Sequence, residues 1–169
     1  CNYSEKRKVG SKLQRKMTVS ATVLPLKTKQ KTTVLKVTGL ANGDSIVSWK
    51  SSNTKIVKVV GKPNGTCTIT AGTKTGKAKI TVTLKSGLQK IVTVSVQKNI
   101  VKTQKITGIA KALQLKVKQK ATLRPVLTPL TSTEKVAYTS SNNQIITVNS
   151  KGKITAKKKG TAVITVKSG

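Results

Sequence analysis

The chain has 169 residues, room for one ordinary domain or two small ones, and with 2 % aromatics and no Phe its core must be built from Val, Ile, Leu and Ala. The 34 Lys and Arg face only 3 Asp and Glu, and the resulting net charge of +31 repels itself, aids solubility and attracts polyanions. No His is present, and Glu5, Asp44 and Glu134 are the only carboxylate side chains; Ser–His and Cys–His nucleophile pairs, His-ligated metals and acid-rich calcium loops are excluded, so no enzyme and no cofactor is expected.

Residues 1–15, CNYSEKRKVGSKLQR, are basic and do not alternate. From residue 16 the apolar pattern has a period of two, the sign of antiparallel strands with one wet face. Thr33–Thr38 is a strand whose inward parity is left open. In VSWKSSN, Val47 and Trp49 share a parity and are predicted to face inward, with Ser51-Ser52-Asn53 holding a turn through its own backbone. Trp49 is read as a core aromatic. Cys67 follows on the parity of Ile69 and Ala71 and is read as a small core residue. Ala78, Ile80, Val82 and Leu84 share one face of the next run, and Val92, Val94 and Val96 one face of the run after it. Asn42-Gly43-Asp44, Asn64-Gly65 and Ser86-Gly87 mark turns.

The pattern then repeats. Shifted by 89 residues, Leu26–Lys31 falls on Leu115–Lys120, Trp49 on Tyr138, Ser51-Ser52-Asn53 on Ser140-Ser141-Asn142, and Val59 on Val148. A few extra residues at 61–65 interrupt the register, which resumes with Gly76–Val82 on Gly160–Val166. Tyr138 is therefore the second core aromatic, and Val136 and Tyr138 face inward together. Pro125 marks an edge or bulge. A period of this length fits a duplicated small domain: residues 16–101 and 102–169, with no Pro/Gly-rich linker at the join. Short alternating strands at regular spacing predict a β-sandwich in each repeat. The first repeat has a last strand around Val92–Val96; the second stops at Ser168-Gly169 and is expected to lack it. That edge is expected to pair with a neighbouring domain or subunit, or with a later part of a longer protein.

Each repeat resembles a group 2 bacterial immunoglobulin-like domain. The resemblance is carried by LKTKQKTTV and LKVKQKATL, by VSWKSSN and VAYTSSN, and by the closing ITAGTKTGKAKITV and ITAKKKGTAVITV. It implies two tandem Ig-like sandwiches of the kind found in bacterial and phage surface proteins, as spacers or adhesion modules. Cys1 then admits two readings, a lipid-bearing first residue of a lipoprotein or an ordinary residue at a domain boundary. The expected function is a non-enzymatic structural or adhesion module outside the cell, at the bacterial surface. The alternatives are a binder of teichoic acid or acidic glycans, and a phage virion decoration or fibre protein. Lys greatly outnumbers Arg, which occurs at Arg7, Arg15 and Arg124, and Trp49 and Tyr138 are assigned to cores. Sequence-specific nucleic-acid recognition is accordingly not expected. No apolar stretch approaches the ~18 residues of a membrane helix.

Overall fold

A computed structural model describes residues 15–169. These residues form strands and turns without a helix, as the two-residue periodicity predicts. In chain order the first repeat contributes β1 (Thr18–Val19), β2 (Val23–Lys27), β3 (Lys31–Thr32), β4 (Val37–Thr38), β5 (Ile46–Ser51), β6 (Val57–Gly61), β7 (Cys67–Ala71), β8 (Gly76–Leu84) and β9 (Gln89–Gln97). One sheet has the order β2-β9-β8-β5, and the other β3-β7-β6. β2 runs parallel to β9, while the remaining neighbours are antiparallel. A short β1–β4 pair closes one end.

Between these sheets lies an aliphatic core. Leu24 and Leu26 of β2, Ile80 of β8 and Val92 and Val94 of β9 meet Ile69 of β7 and Val57 of β6. All are almost fully buried. A second cluster joins Met17, Val37, Ile46, Val82 and Leu84, and Trp49 packs against both. The undecided segment resolves by a change of parity: Thr32 faces in, and so do Leu35 and Val37. Cys67 is buried as read from its parity. Burial pushes its thiol up to about 11, which leaves it protonated and inert at neutral pH.

One expectation fails. Val47 does not face inward; it is 58 % exposed. The β5–β8 register slips between Ile46, opposite Leu84, and Ser48, opposite Thr83. This bulge inserts one residue, so Ile46 and Trp49, three apart, both reach the core and Val47 is turned out. In the second repeat the ladder from Val136 opposite Ser168 to Ser140 opposite Ile164 is unbroken. Val136 and Tyr138 are accordingly both half-buried on one face.

The second repeat contributes β10 (Lys105–Thr107), β11 (Lys120–Thr122), β12 (Val126–Thr128), β13 (Val136–Ser140), β14 (Ile146–Val148), β15 (Lys153–Ala156) and β16 (Ile164–Ser168). Its sheets are β10-β12, β11-β15-β14 and β13-β16. They correspond to β1-β4, β3-β7-β6 and β5-β8. Pro125 lies in the break between β11 and β12, where its missing N–H breaks no ladder. The strands of the first repeat without a described counterpart are β2 and β9, the two that pair with each other.

Candidate interaction edge

The twice-written phrase serves the same local chemistry in both places. Ser51 Oγ donates to Val57 O at 2.7 Å, and Ser140 Oγ to Ile146 O at 2.7 Å. The same hydroxyls accept from Asn53 N and Asn142 N. Asn53 Oδ1 and Asn142 Oδ1 each accept a backbone N–H two residues on. Lys79 N and Val163 N donate to Ser52 Oγ and Ser141 Oγ, both at 2.8 Å. The Ser-Ser-Asn turn thus clamps the start of β8 in one repeat and residue 163 in the other. It is a structural element with every polar side chain engaged in the fold.

Of the two aromatics, Trp49 packs against both core clusters. Trp49 and Tyr138 are half-buried, and each ring lies on a glycine. A Cβ built on Gly61 would fall inside the Trp49 indole, and one on Gly152 would lie 2.9 Å from Tyr138 Cζ. Trp49 Nε1 is a buried donor without a hydrogen-bond partner. Cys1, the candidate lipid anchor, and Glu5 lie outside the described residues. Asp44 and Glu134 are occupied in separate loops. Asp44 accepts from Ser86 Oγ at 2.6 Å and from the N–H groups of Ser45 and Ser86. Chiefly through the Ser86 hydroxyl, these bonds hold its carboxyl below the ordinary range. Glu134 accepts from Thr103 N. Among the described residues no group of three His, Cys, Asp or Glu is placed to hold a metal. Every described lysine side chain is exposed.

The feature that differs between repeats is an edge. In the first repeat β8 has two neighbours, β5 and β9. Its first four residues, Gly76–Lys79, owe their strand form to β9, because β5 reaches only from Leu84 to Ile80. In the second repeat β16 pairs with β13 alone, and strand structure begins at Ile164, not at Gly160. On the far side, residues 112–116 correspond to β2 but form no described strand. The core records the difference. Leu24 is 1 % exposed and its counterpart Leu113 52 %. Ile80 and Val82 are fully buried, whereas Ile164 and Val166 are half-buried. Between the two segments runs a groove of about 570 Å³, floored by Leu113, Leu115, Val117, Ile146, Ala156 and Ala162, with Lys116, Lys158 and Lys159 at its rim. Comparison of the two repeats in sequence carries no sign that residues 112–116 form no strand.

The repeats touch through side chains. Gln30 Nε2 donates to Thr131 O at 2.9 Å, and Thr131 Oγ1 donates to Pro25 O. Thr131 is 2 % exposed, and Val101 at the join is also buried. Gln104 N bonds Thr128 O at 2.7 Å, so the chain pairs with the second repeat three residues past Val101.

Comparison with known proteins finds partial similarities. Kappa-carrageenase of Pseudoalteromonas carrageenovora is 51 % identical over 51 residues, 30 % of this chain and 13 % of that protein. Among solved structures, the S-layer protein rSbsC(31-844) is similar over 91 % of this chain and 21 % of its own length, at 17 % identity and a TM-score of 0.43. A C-terminal fragment of intimin, solved with the intimin-binding domain of its translocated receptor, is similar over 90 % of this chain and 58 % of its own, at 16 % identity and a TM-score of 0.34. The chain thus spans 13 % of the carrageenase and a minor or middling share of these structures. The model for the bacterial Ig-like domain, group 2, matches residues 96–169. Over those residues, which are less than half of the chain, it is similar to the group 2 family of bacterial Ig-like domains.

Proposed function

We propose that the chain is a non-catalytic module of a bacterial surface protein, in which two tandem sandwiches, residues 16–101 and 102–169, hold other parts at a fixed separation. The observation that carries this reading is the joint. A spacer must resist bending, and here a buried threonine is bonded to the preceding repeat through both its carbonyl and its hydroxyl. The match of residues 96–169 to the bacterial Ig-like domain, group 2, is in keeping with it, as is the engagement of the Ser-Ser-Asn turns and both described carboxylates in the fold. Spin labels at Lys62→Cys and Lys151→Cys, in a Cys1→Ser, Cys67→Ala background, test it. A rigid joint gives one narrow distance distribution, and Gln30→Ala with Thr131→Val broadens it. A broad distribution before those changes overturns the spacer.

A second reading is favoured by one specific observation, the exposure of every described lysine at a net charge of +31. Such a surface attracts anionic wall polymers or acidic glycans without a shaped site. Screening shortens from about 10 Å at 0.1 M salt to about 3 Å at 1 M, so binding to purified lipoteichoic acid should be lost across that range. Retention at high salt would exclude a purely electrostatic contact.

A further inference from the structure

We infer that the first repeat carries a binding cleft for a linear phosphodiester polymer of the poly(glycerol phosphate) type, formed by Lys55, Lys58 and Lys74 with the hydroxyls of Thr54, Thr70 and Thr73. The inference deepens the second reading, that of an anionic-polymer binder, and rests on it. It replaces a diffuse attraction with a defined place.

The sheet β3-β7-β6 builds the floor, with β7 as its middle strand. Ile69 and Ala71 of β7 are buried, so Thr70 between them faces out. Thr70 lies opposite Lys31 of β3 on one side and Lys58 of β6 on the other. Paired residues share a face, and neighbouring strands lie about 4.8 Å apart. Two lysines are thus rooted about 10 Å apart on the outer face, with a hydroxyl between them.

The loops at the end of this sheet bring in further charge. Gly72 N donates to Ile56 O at 2.8 Å, and Lys29 N donates to Gly72 O at 3.0 Å. The turn after β7 is thereby tied both to the loop before β6 and to the turn before β3. A Cβ on Gly72 would collide with Lys55 O, so the bare glycine is what lets these loops close on each other. The result is a cleft of about 510 Å³ lined by the three lysines and three threonines, with all three lysines exposed. Neither described carboxylate neutralises it. Asp44 precedes β5 at the opposite end of the repeat, separated by a strand of six residues, about 20 Å. Glu134 accepts from Thr103 N in the second repeat.

The donors select the ligand. Lysine acts as a point charge that suits a tetrahedral oxyanion, whereas a planar carboxylate is matched by the arginine fork, and no Arg lines the cleft. A phosphodiester concentrates its charge on fewer free oxygens than a sulfate ester does, and so accepts more strongly from ammonium and hydroxyl groups. Charge spread along a row suits successive phosphates of one chain better than a single free ion. Single-stranded nucleic acid would call for aromatic stacking platforms, but the described aromatics, Trp49 and Tyr138, are half-buried against glycines. The second repeat supplies a contrast on the same fold. It keeps Thr155 opposite Lys120, but Gln144 and Thr147 stand where the first repeat has Lys55 and Lys58, and Lys157 where it has Gly72.

The full chain is titrated at low salt with poly(glycerol phosphate), inorganic phosphate, dextran sulfate and a dT oligonucleotide. Calorimetry measures affinity, and amide shifts in NMR locate the contact. Poly(glycerol phosphate) should bind most tightly of the four, with shifts centred on Thr54–Lys58 and Thr70–Lys74. The triple variant Lys55→Gln, Lys58→Thr, Lys74→Gln takes two of its residues from the second repeat and should weaken that binding at least tenfold. Lys50→Gln, Lys79→Gln and Lys90→Gln together remove the same charge from the other sheet and should weaken it less than threefold. Equal weakening by the two triple variants, or shifts spread over the whole lysine surface, overturns the cleft and leaves the polyanion reading standing. Dextran sulfate or the oligonucleotide binding as tightly at the same residues overturns the phosphodiester assignment, and inorganic phosphate doing so overturns the polymer. If the unaltered chain binds none of the polyanions, both the cleft and the reading beneath it fall.

Discussion

Trp49 and Gly61 are fitted to each other, and so are Tyr138 and Gly152. The consequence is that two residues without side chains should be as sensitive as the rings they support. Gly61→Ala forces a methyl into the indole and should cost about 1–3 kcal/mol, read as a lower urea midpoint by fluorescence of the single Trp. Gly152→Ala adds strain, because Gly152 has a φ of +80°, and a left-handed backbone costs a residue with a Cβ about 1–2 kcal/mol. Asp44 supplies a pH dependence. Its carboxyl titrates below the ordinary value, so the stability it adds is present above that value and is lost as pH falls through the lower, folded-state one. Asp44→Asn should flatten this acid limb in pH-dependent melts; an unchanged limb would show that the Ser86 bond contributes nothing.

At the scale of elements, strand content and repeat register were plain in the sequence because a two-residue period with one buried face leaves little choice. Ala78, Ile80, Val82, Leu84, Val92 and Cys67 all lie where their parity puts them. The misplacement of Val47 has a definite cause. A bulge adds one residue to one strand, and nothing in VSWKSSN distinguishes it from VAYTSSN, whose ladder is regular. Parity propagates an error of one, so a single local insertion reverses the face of every residue before it. The disappearance of a β2 counterpart was illegible for a different reason. Residues 112–116 hold a strand-like sequence, ALQLK, but β2 is a strand only by virtue of β9, and a segment's own sequence does not report whether its partner is at hand. The Cys1 reading lies outside the described residues and stays a proposal.

For the whole molecule, the uneven burial of the two repeats predicts uneven stability. The first repeat owns most of the fully buried side chains, whereas the second has Ile154 and Ala156 as its buried apolar residues. Unfolding should not be two-state. Trp49 reports on the first repeat alone, so its fluorescence transition should come at higher denaturant than the loss of strand signal in far-ultraviolet circular dichroism. Coincident curves would mean that the joint couples the repeats into one cooperative unit.

Gln30 works at both ends of its amide. Its Oε1 accepts from Lys27 N at 2.9 Å and closes the turn before β3, while its Nε2 reaches across to Thr131. Gln119 repeats the first of these tasks with Lys116 N at 3.0 Å. One of the two side-chain bonds across the joint and the closure of the loop thus share a single side chain. Opening of the Lys27–Gln30 loop therefore also removes the bond to Thr131 O and leaves the Thr131 hydroxyl on Pro25 O to hold the neighbouring repeat.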